Sequence, residues 1–151
     1  KLLKENHLRF NFLFEASAHV FVSSKHPLAD NKRVTLEDLE DYPFLAFEQG
    51  EYNSFYFSEE ILSTVPRKKT IHVSDRATLF NLLTGLNGYT ICSGVLSGDL
   101  NDENIVSVPL VSDEKMRIGW ISSDKSHLSP LALSYISILK KLIAEYGFKT
   151  E

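Results

Sequence analysis

The stretch HVFVSSKHPLADNKRVTLEDLEDYPFLAFEQG, residues 19–50, decides the architecture. Residues 20–22 form a short apolar run suited to a strand, and Pro27 with the Asp30–Asn31 pair supplies turn chemistry after it. Thr35, followed three residues on by Asp38, can cap a helix start, while Pro43 stops that helix after one or two turns. FLAF at 44–47 has no polar alternation, the pattern of a strand covered on both faces in a parallel sheet. It ends in the polar loop that begins Glu48, Gln49, Gly50. A buried strand that delivers polar residues at its carboxyl end is a common way to build a small-molecule cleft.

Upstream, Leu8, Phe10, Phe12 and Phe14 alternate, so residues 8–22 read as strand, kink, strand. Downstream, Ser54 can cap a helix over 54–65 that Pro66 terminates, and residues 69–73 form the next strand. Ser74 or Asp75 caps a helix carrying Leu79, Leu82, Leu83 and Leu86 on one face, which stops near Gly88. YTIC at 89–92 is a further strand, and this β-α-β-α-β-α-β order predicts a mainly parallel sheet. IVSVPL and MRIGWIS read as two more strands, with Trp120 expected to be buried beside Ile118 and Ile121. The last helix is the clearest, with Ser129 as cap, Pro130 at its first position, and Leu131, Tyr135, Ile138, Leu139, Leu142 and Tyr146 sharing a face before Gly147.

With 151 residues, 43% apolar and 24% charged, the chain can bury one core or two small lobes. Its net charge of −4 argues against a nucleic-acid surface, which needs a basic stripe that the lone RKK at 67–69 does not provide. The single cysteine, Cys92, precludes an intramolecular disulfide and fits a reducing compartment, so a cytoplasmic protein is expected. No apolar run reaches the roughly 18 residues of a membrane span. The chain opens without Met on a pattern already running, as in a piece of a longer protein.

Five segments, HVFVSSKHPLA, VTLEDLEDYPFLAFEQG, VSDRATLFNLLTGLNGYTI, IVSVPL and RIGWIS, occur in an order that resembles the effector-binding region of LysR-type transcriptional regulators. The resemblance extends over about residues 8–143. It implies an α/β fold of the periplasmic-binding-protein-like (type 2) kind, two lobes joined by crossing strands, with a small effector held between them. It further implies a complete parallel-sheet second lobe in residues 19–110, with residues 1–18 and 111–151 supplying only part of the first. The family's winged helix-turn-helix, linker helix and opening βαβ segment have no counterpart here, so DNA contact is expected only through that absent N-terminal module. A partial first lobe leaves apolar surface and an open sheet edge, so self-association is expected.

Ligands of open parallel sheets gather beyond the carboxyl ends of the strands, where loops and helix N-termini converge. That places Glu48, Gln49, Asn53 and Ser54 after one strand, Ser74, Asp75 and Thr78 after the next, and Ser93 and Gly94 after a third. The expected effector-binding set is Glu48, Gln49, Asn53, Ser54, Thr78, Ser93 and Gly94. Backbone N–H groups and the hydroxyls of Ser54, Thr78 and Ser93 would serve an anion, whereas Glu48 suits an amine or a sugar hydroxyl.

Other chemistries find less support. His7, His19, His26, His72 and His127 match no zinc spacing, so no metal and no cofactor is expected. His26 reads as a turn residue and His72 as a sheet residue. There is no G-x-S-x-G elbow, and CSGVLSG lacks the lysine and helix of a phosphate loop. Cys92 at the end of an apolar strand reads as a small core residue rather than a nucleophile. A non-catalytic sensor is therefore expected, acting by shifting a population of lobe arrangements. The alternative is a solute-binding protein of the same fold working in transport.

Overall fold

The computed structural model describes residues 2–48, 62, 65–95, 104–125 and 127–149. Its elements in chain order are α1 (Leu2–Glu5), β1 (Leu8–Ser17), β2 (His19–Ser23), β3 (Phe44–Phe47), β4 (Thr70–Val73), α2 (Arg76–Leu86), β5 (Tyr89–Cys92), β6 (Ile105–Pro109), β7 (Lys115–Ser123) and α3 (Pro130–Glu145). They fall into two compact units, one of Lys1–Ala16 with Lys115–Glu151 and one of Ser17–Glu114.

Ser17–Glu114 is built on a five-stranded sheet in the order β4-β3-β5-β2-β6. β3 runs parallel to both β4 and β5, but β2 is antiparallel to β5 and to β6. The sheet is thus mixed, with β2 reversed, where the element order alone predicted a mainly parallel one. Both faces of the sheet are covered, which explains the unbroken apolar run of β3. On one face Val20, Val22, Phe44, Ala46, Tyr89 and Ile91 pack with Val34 and Leu39. On the other, Phe21, Leu45 and Val73 meet Leu79 and Leu83 of α2. A one-residue change of register would exchange the two sets, so the pairing is strongly specified.

The segment between β2 and β3 is not the expected short helix. Thr35 and Asp38 do form a reciprocal box: Thr35 N and Oγ1 donate to Asp38 Oδ2 at 2.8 and 2.9 Å, and Asp38 N donates to Thr35 Oγ1 at 3.3 Å. Beyond it, however, Leu39, Glu40 and Tyr42 donate only three residues back, to Leu36, Glu37 and Leu39, so the chain makes consecutive tight turns. Pro43 leaves too little length for α-helical bonds to propagate. His26 anchors this segment from within. Its Nδ1 accepts from Leu28 N at 3.1 Å, which leaves Nε2 as the N–H that donates to the Asn87 carbonyl at 3.1 Å. The ring lies 4.3 Å from that of Tyr42, and burial pushes its pKa below the ordinary value.

The other unit pairs β1 with β7, and Asn11 Nδ2 donates across the pair to Ser122 Oγ at 3.0 Å. At Gly119 an added Cβ would fall 2.3 Å from the Asn11 carbonyl, so a side chain there would force the strands apart. Trp120 is half-buried and Ile121 is 55% exposed, which corrects the expectation of a buried tryptophan with an apolar neighbour inside. Ser129 caps α3 by accepting from Ala132 N, with Pro130 in the first turn. The helix turns inward on Ala132, Ile136, Leu139 and Ile143, while Leu131, Tyr135, Ile138, Leu142 and Tyr146 are exposed. No helix among the described residues is long and apolar enough to cross a membrane.

Candidate functional site

Because β3, β4 and β5 are parallel, their carboxyl ends share one edge of the sheet. Because β2 is reversed, its first residue joins them there: His19 pairs with Cys92 on one side and with Pro109 on the other. The rim therefore runs from Ser74 and Asp75, past Glu48, to Ser93 and Gly94, then His19.

Glu48 is held at the end of β3 by its backbone N–H, which donates to the Val73 carbonyl at 2.9 Å, and its side chain is exposed. At the next position, Asp75 caps α2. Its Oδ1 accepts from Thr78 N at 2.8 Å and its Oδ2 from Thr78 Oγ1 at 2.7 Å, and these bonds hold the carboxyl below its ordinary pKa. Both donors of Thr78 are thereby committed to the cap. Thr78 stands on the rim helix but offers it no free donor, and the N-terminus of α2 already carries a carboxylate.

After β5, Ser93 Oγ accepts from Val95 N at 3.4 Å, which leaves its O–H to donate outward. Gly94 takes φ +77°, and a Cβ there would lie 2.5 Å from the His19 ring, so only glycine lets the chain cross so near the imidazole. His19 Nδ1 donates to the Ser17 carbonyl at 3.0 Å, which assigns the N–H of a neutral imidazole to Nδ1 and the lone pair to the other ring nitrogen. Cys92 lies just inside the rim. Its thiol donates to the His19 carbonyl at 3.6 Å, and burial pushes its pKa up to about 12, so it stays protonated. Gln49, Asn53 and Ser54 lie outside the described residues, as does most of the expected helix 54–65.

Beneath the rim, a small cavity of about 140 Å³ is lined by Phe21, Phe47, Leu79, Phe80 and Cys92, with Arg76 placed 5.1 Å over the Phe80 ring. His19 and Arg76 were absent from the set expected from sequence. A signal for Arg76 exists, since it opens the helix that follows a strand end. None exists for His19, because only the reversal of β2 brings the start of that strand to this edge. Among the described residues, no group of three or more His, Cys, Asp or Glu side chains could hold a metal ion.

Residues 2–144 match the profile of the LysR substrate binding domain. The chain belongs to that family. It is 26% identical over 145 residues to the malolactic fermentation system transcriptional activator of Lactococcus lactis subsp. lactis (strain IL1403), a match covering 93% of this chain and 49% of that protein. The crystal structure of HinK, a LysR family transcriptional regulator from Pseudomonas aeruginosa, superposes with a TM-score of 0.66 at 13% identity, over 91% of this chain and 48% of that one. The BenM effector binding domain with its effector benzoate gives a TM-score of 0.66 at 18% identity, over 95% and 66% of the two chains. This LysR-family chain thus spans about half the length of the regulators it matches. Its fold is that of their effector-binding domains, α/β and periplasmic-binding-protein-like.

Proposed function

We propose that this chain is the effector-sensing part of a LysR-type transcription regulator, and that the rim around Glu48, Ser93, Gly94 and His19 is its contact surface for a small polar molecule. The convergence of three parallel strand ends with the reversed start of β2 on one edge carries the reading. Glu48 and Asp75 supply acceptors, the Ser93 hydroxyl supplies a donor, and Gln49, Asn53 and Ser54 follow β3 closely enough in sequence to join the same wall. Thr78 acts through Asp75, which it holds in place.

Among the described residues of the rim, the thiol is held protonated and the nearest helix N-terminus is already capped, which favours binding over turnover. A ligand then acts by preferring one arrangement of a mobile equilibrium. The relatives are regulators by name, which favours regulation over transport. DNA contact then belongs to a part of the parent protein outside this sequence, and the setting is the cytoplasm.

A metabolite-library thermal-shift screen tests the site. A true effector stabilises the chain by about 2.7 kcal/mol at a hundredfold excess over its Kd, and loses affinity in Glu48→Gln. Hits indifferent to both Glu48→Gln and Ser93→Ala would refute the rim.

We further propose that the chain self-associates through α3, whose exposed Leu131, Tyr135, Ile138, Leu142 and Tyr146 recur every three or four residues on one face. Sedimentation at rising concentration should show a growing dimer that Ile138→Ser weakens. A strictly monomeric profile would dismiss the idea.

A further inference from the structure

The opposite edge of the same sheet, where β3, β4 and β5 begin, holds a cavity of about 250 Å³. Leu36, Leu39, Tyr42, Val65 and Pro66 form its apolar part, and Arg67, Lys69 and Tyr89, with the Lys68–Glu40 ion pair, its polar part. It lies at the other ends of the strands from the rim and is independent of the effector reading.

Arg67 is the unusual member. Its guanidinium stacks 4.1 Å over the Phe44 ring, Nε donates to the Tyr89 hydroxyl at 3.0 Å, and Nη1 donates to the carbonyls of Leu62 and Val65 at 2.9 and 2.7 Å. All of these partners are neutral. Nη2 is buried and, among the described residues, it has no acceptor and no carboxylate pairs with the charge. The residue as a whole is half-buried, but a buried guanidinium N–H is ordinarily given an acceptor in proteins, because its desolvation is otherwise uncompensated.

Tyr89 repeats the pattern. The side chain is only 3% exposed, and its oxygen accepts from Arg67, leaving the phenolic O–H to donate with no acceptor among the described residues. Burial raises its pKa, which keeps that proton in place. Beside these, Lys69 Nζ bonds only the neutral Asp41 carbonyl, whereas Lys68 is already paired with Glu40. Of the three cations that line the cavity, Lys68 is neutralised by Glu40, and Arg67 and Lys69, with the Tyr89 phenol, keep donors to spare next to an apolar wall.

We propose that this cavity is a binding site for a small carboxylate with an apolar body, its head group accepting from Arg67, Tyr89 and Lys69 and its hydrocarbon lying against Leu36, Tyr42 and Val65. The apolar wall distinguishes such a ligand from a bare inorganic anion. The volume, above the 150 Å³ or so that accommodates a benzene ring, suits a six-carbon ring bearing one acid group.

The test uses three probes against the 151-residue chain, followed by nitrogen–proton NMR: cyclohexanecarboxylate, cyclohexanecarboxamide and inorganic phosphate. Cyclohexanecarboxylate should shift the Arg67 Nε–H signal and the amides of residues 66–69 and 89 saturably in the millimolar range, and bind about tenfold more tightly than the amide, which keeps the body and loses the charge. Phosphate should bind more weakly than the carboxylate. Lys69→Gln, an exposed position that leaves the stacked Arg67 intact, should weaken the acid several-fold and leave the amide unchanged. Equal binding of acid and amide, tighter binding of phosphate, shifts confined to His19, Ser93 and Gly94, or no saturable shift at all would each overturn the proposal. The third of these would leave the rim reading intact.

Discussion

In Ser17–Glu114, the side chains of Val20, Val22, Leu39, Leu45 and Leu83 have no exposed surface, whereas in the other unit Leu131, Tyr135 and Ile138 are 80%, 66% and 58% exposed. The two regions are similarly rich in apolar residues and differ in closure. Five strands with turns on one face and α2 on the other can seal both sides of a sheet. Two strands and α3 seal one side of a helix and leave the other as a stripe. A hydrophobic pattern thus states that a face is to be covered, and leaves open by what.

That contrast can be broken by experiment. The largest effect is expected in the sealed unit: Leu45→Ala should cost about 2–5 kcal/mol in urea unfolding, because the fully buried side chain leaves a void between the sheet and α2 that its neighbours cannot fill. At concentrations low enough to keep the chain monomeric, Leu131→Ala should stay within about 0.5 kcal/mol of the parent. Equal costs under those conditions would show that the stripe is covered within the single chain.

Gly94→Ala comes next, at about 1–3 kcal/mol, since it combines left-handed backbone with a collision against His19. Its amide shifts should stay local to the rim, and a change spread over the whole sheet would contradict the local crossing described here. Ser129→Ala should cost about 1 kcal/mol, read as faster hydrogen exchange in the first turn of α3 with the five-stranded unit unchanged.

The smallest effect is a pH dependence. The pKa of His26 is lowered in the fold, so the unfolded chain takes up the proton more readily. Stability is full above the ordinary histidine value of about 6.5 and declines as pH falls through the folded-state value. His26→Gln should flatten that acid-side slope. An unchanged slope would show that the buried ring contributes nothing to it.

The capping signals were legible because they are local. Ser129 accepts from Ala132 N, and Thr35 and Asp38 bond each other, as their spacing implies; of Ser74 and Asp75, both open from sequence, Asp75 takes the cap by accepting from Thr78 N. The strands at 44–47, 70–73 and 89–92 were legible for the same reason, as short apolar runs between turn residues. The turns at 36–42 were misread as a helix because a correct cap was followed by too few residues before Pro43. On α3 the apolar residues assigned to one face divide: Leu139 turns inward with Ala132, Ile136 and Ile143, whereas Leu131, Tyr135, Ile138, Leu142 and Tyr146 are exposed, since both stripes repeat at helical spacing.

The candidate sites divide along the same line. Glu48, Ser93 and Gly94 follow strands directly and could be placed by counting. His19 could not, since it belongs to the rim only through β2 running against β5 and β6. Arg67 could not either, since its place between Phe44 and Tyr89 joins residues 23 and 22 positions away.

By itself, the sequence determined the strands, the capped helices and the polar residues that follow them, because these depend on forces acting within a few residues of chain. Only the tertiary structure decided the direction of β2, which stripe of α3 turns inward, and the isolation of the Arg67 charge. Those outcomes depend on which distant surfaces compete to exclude water, and a linear pattern records the demand for burial without naming the partner.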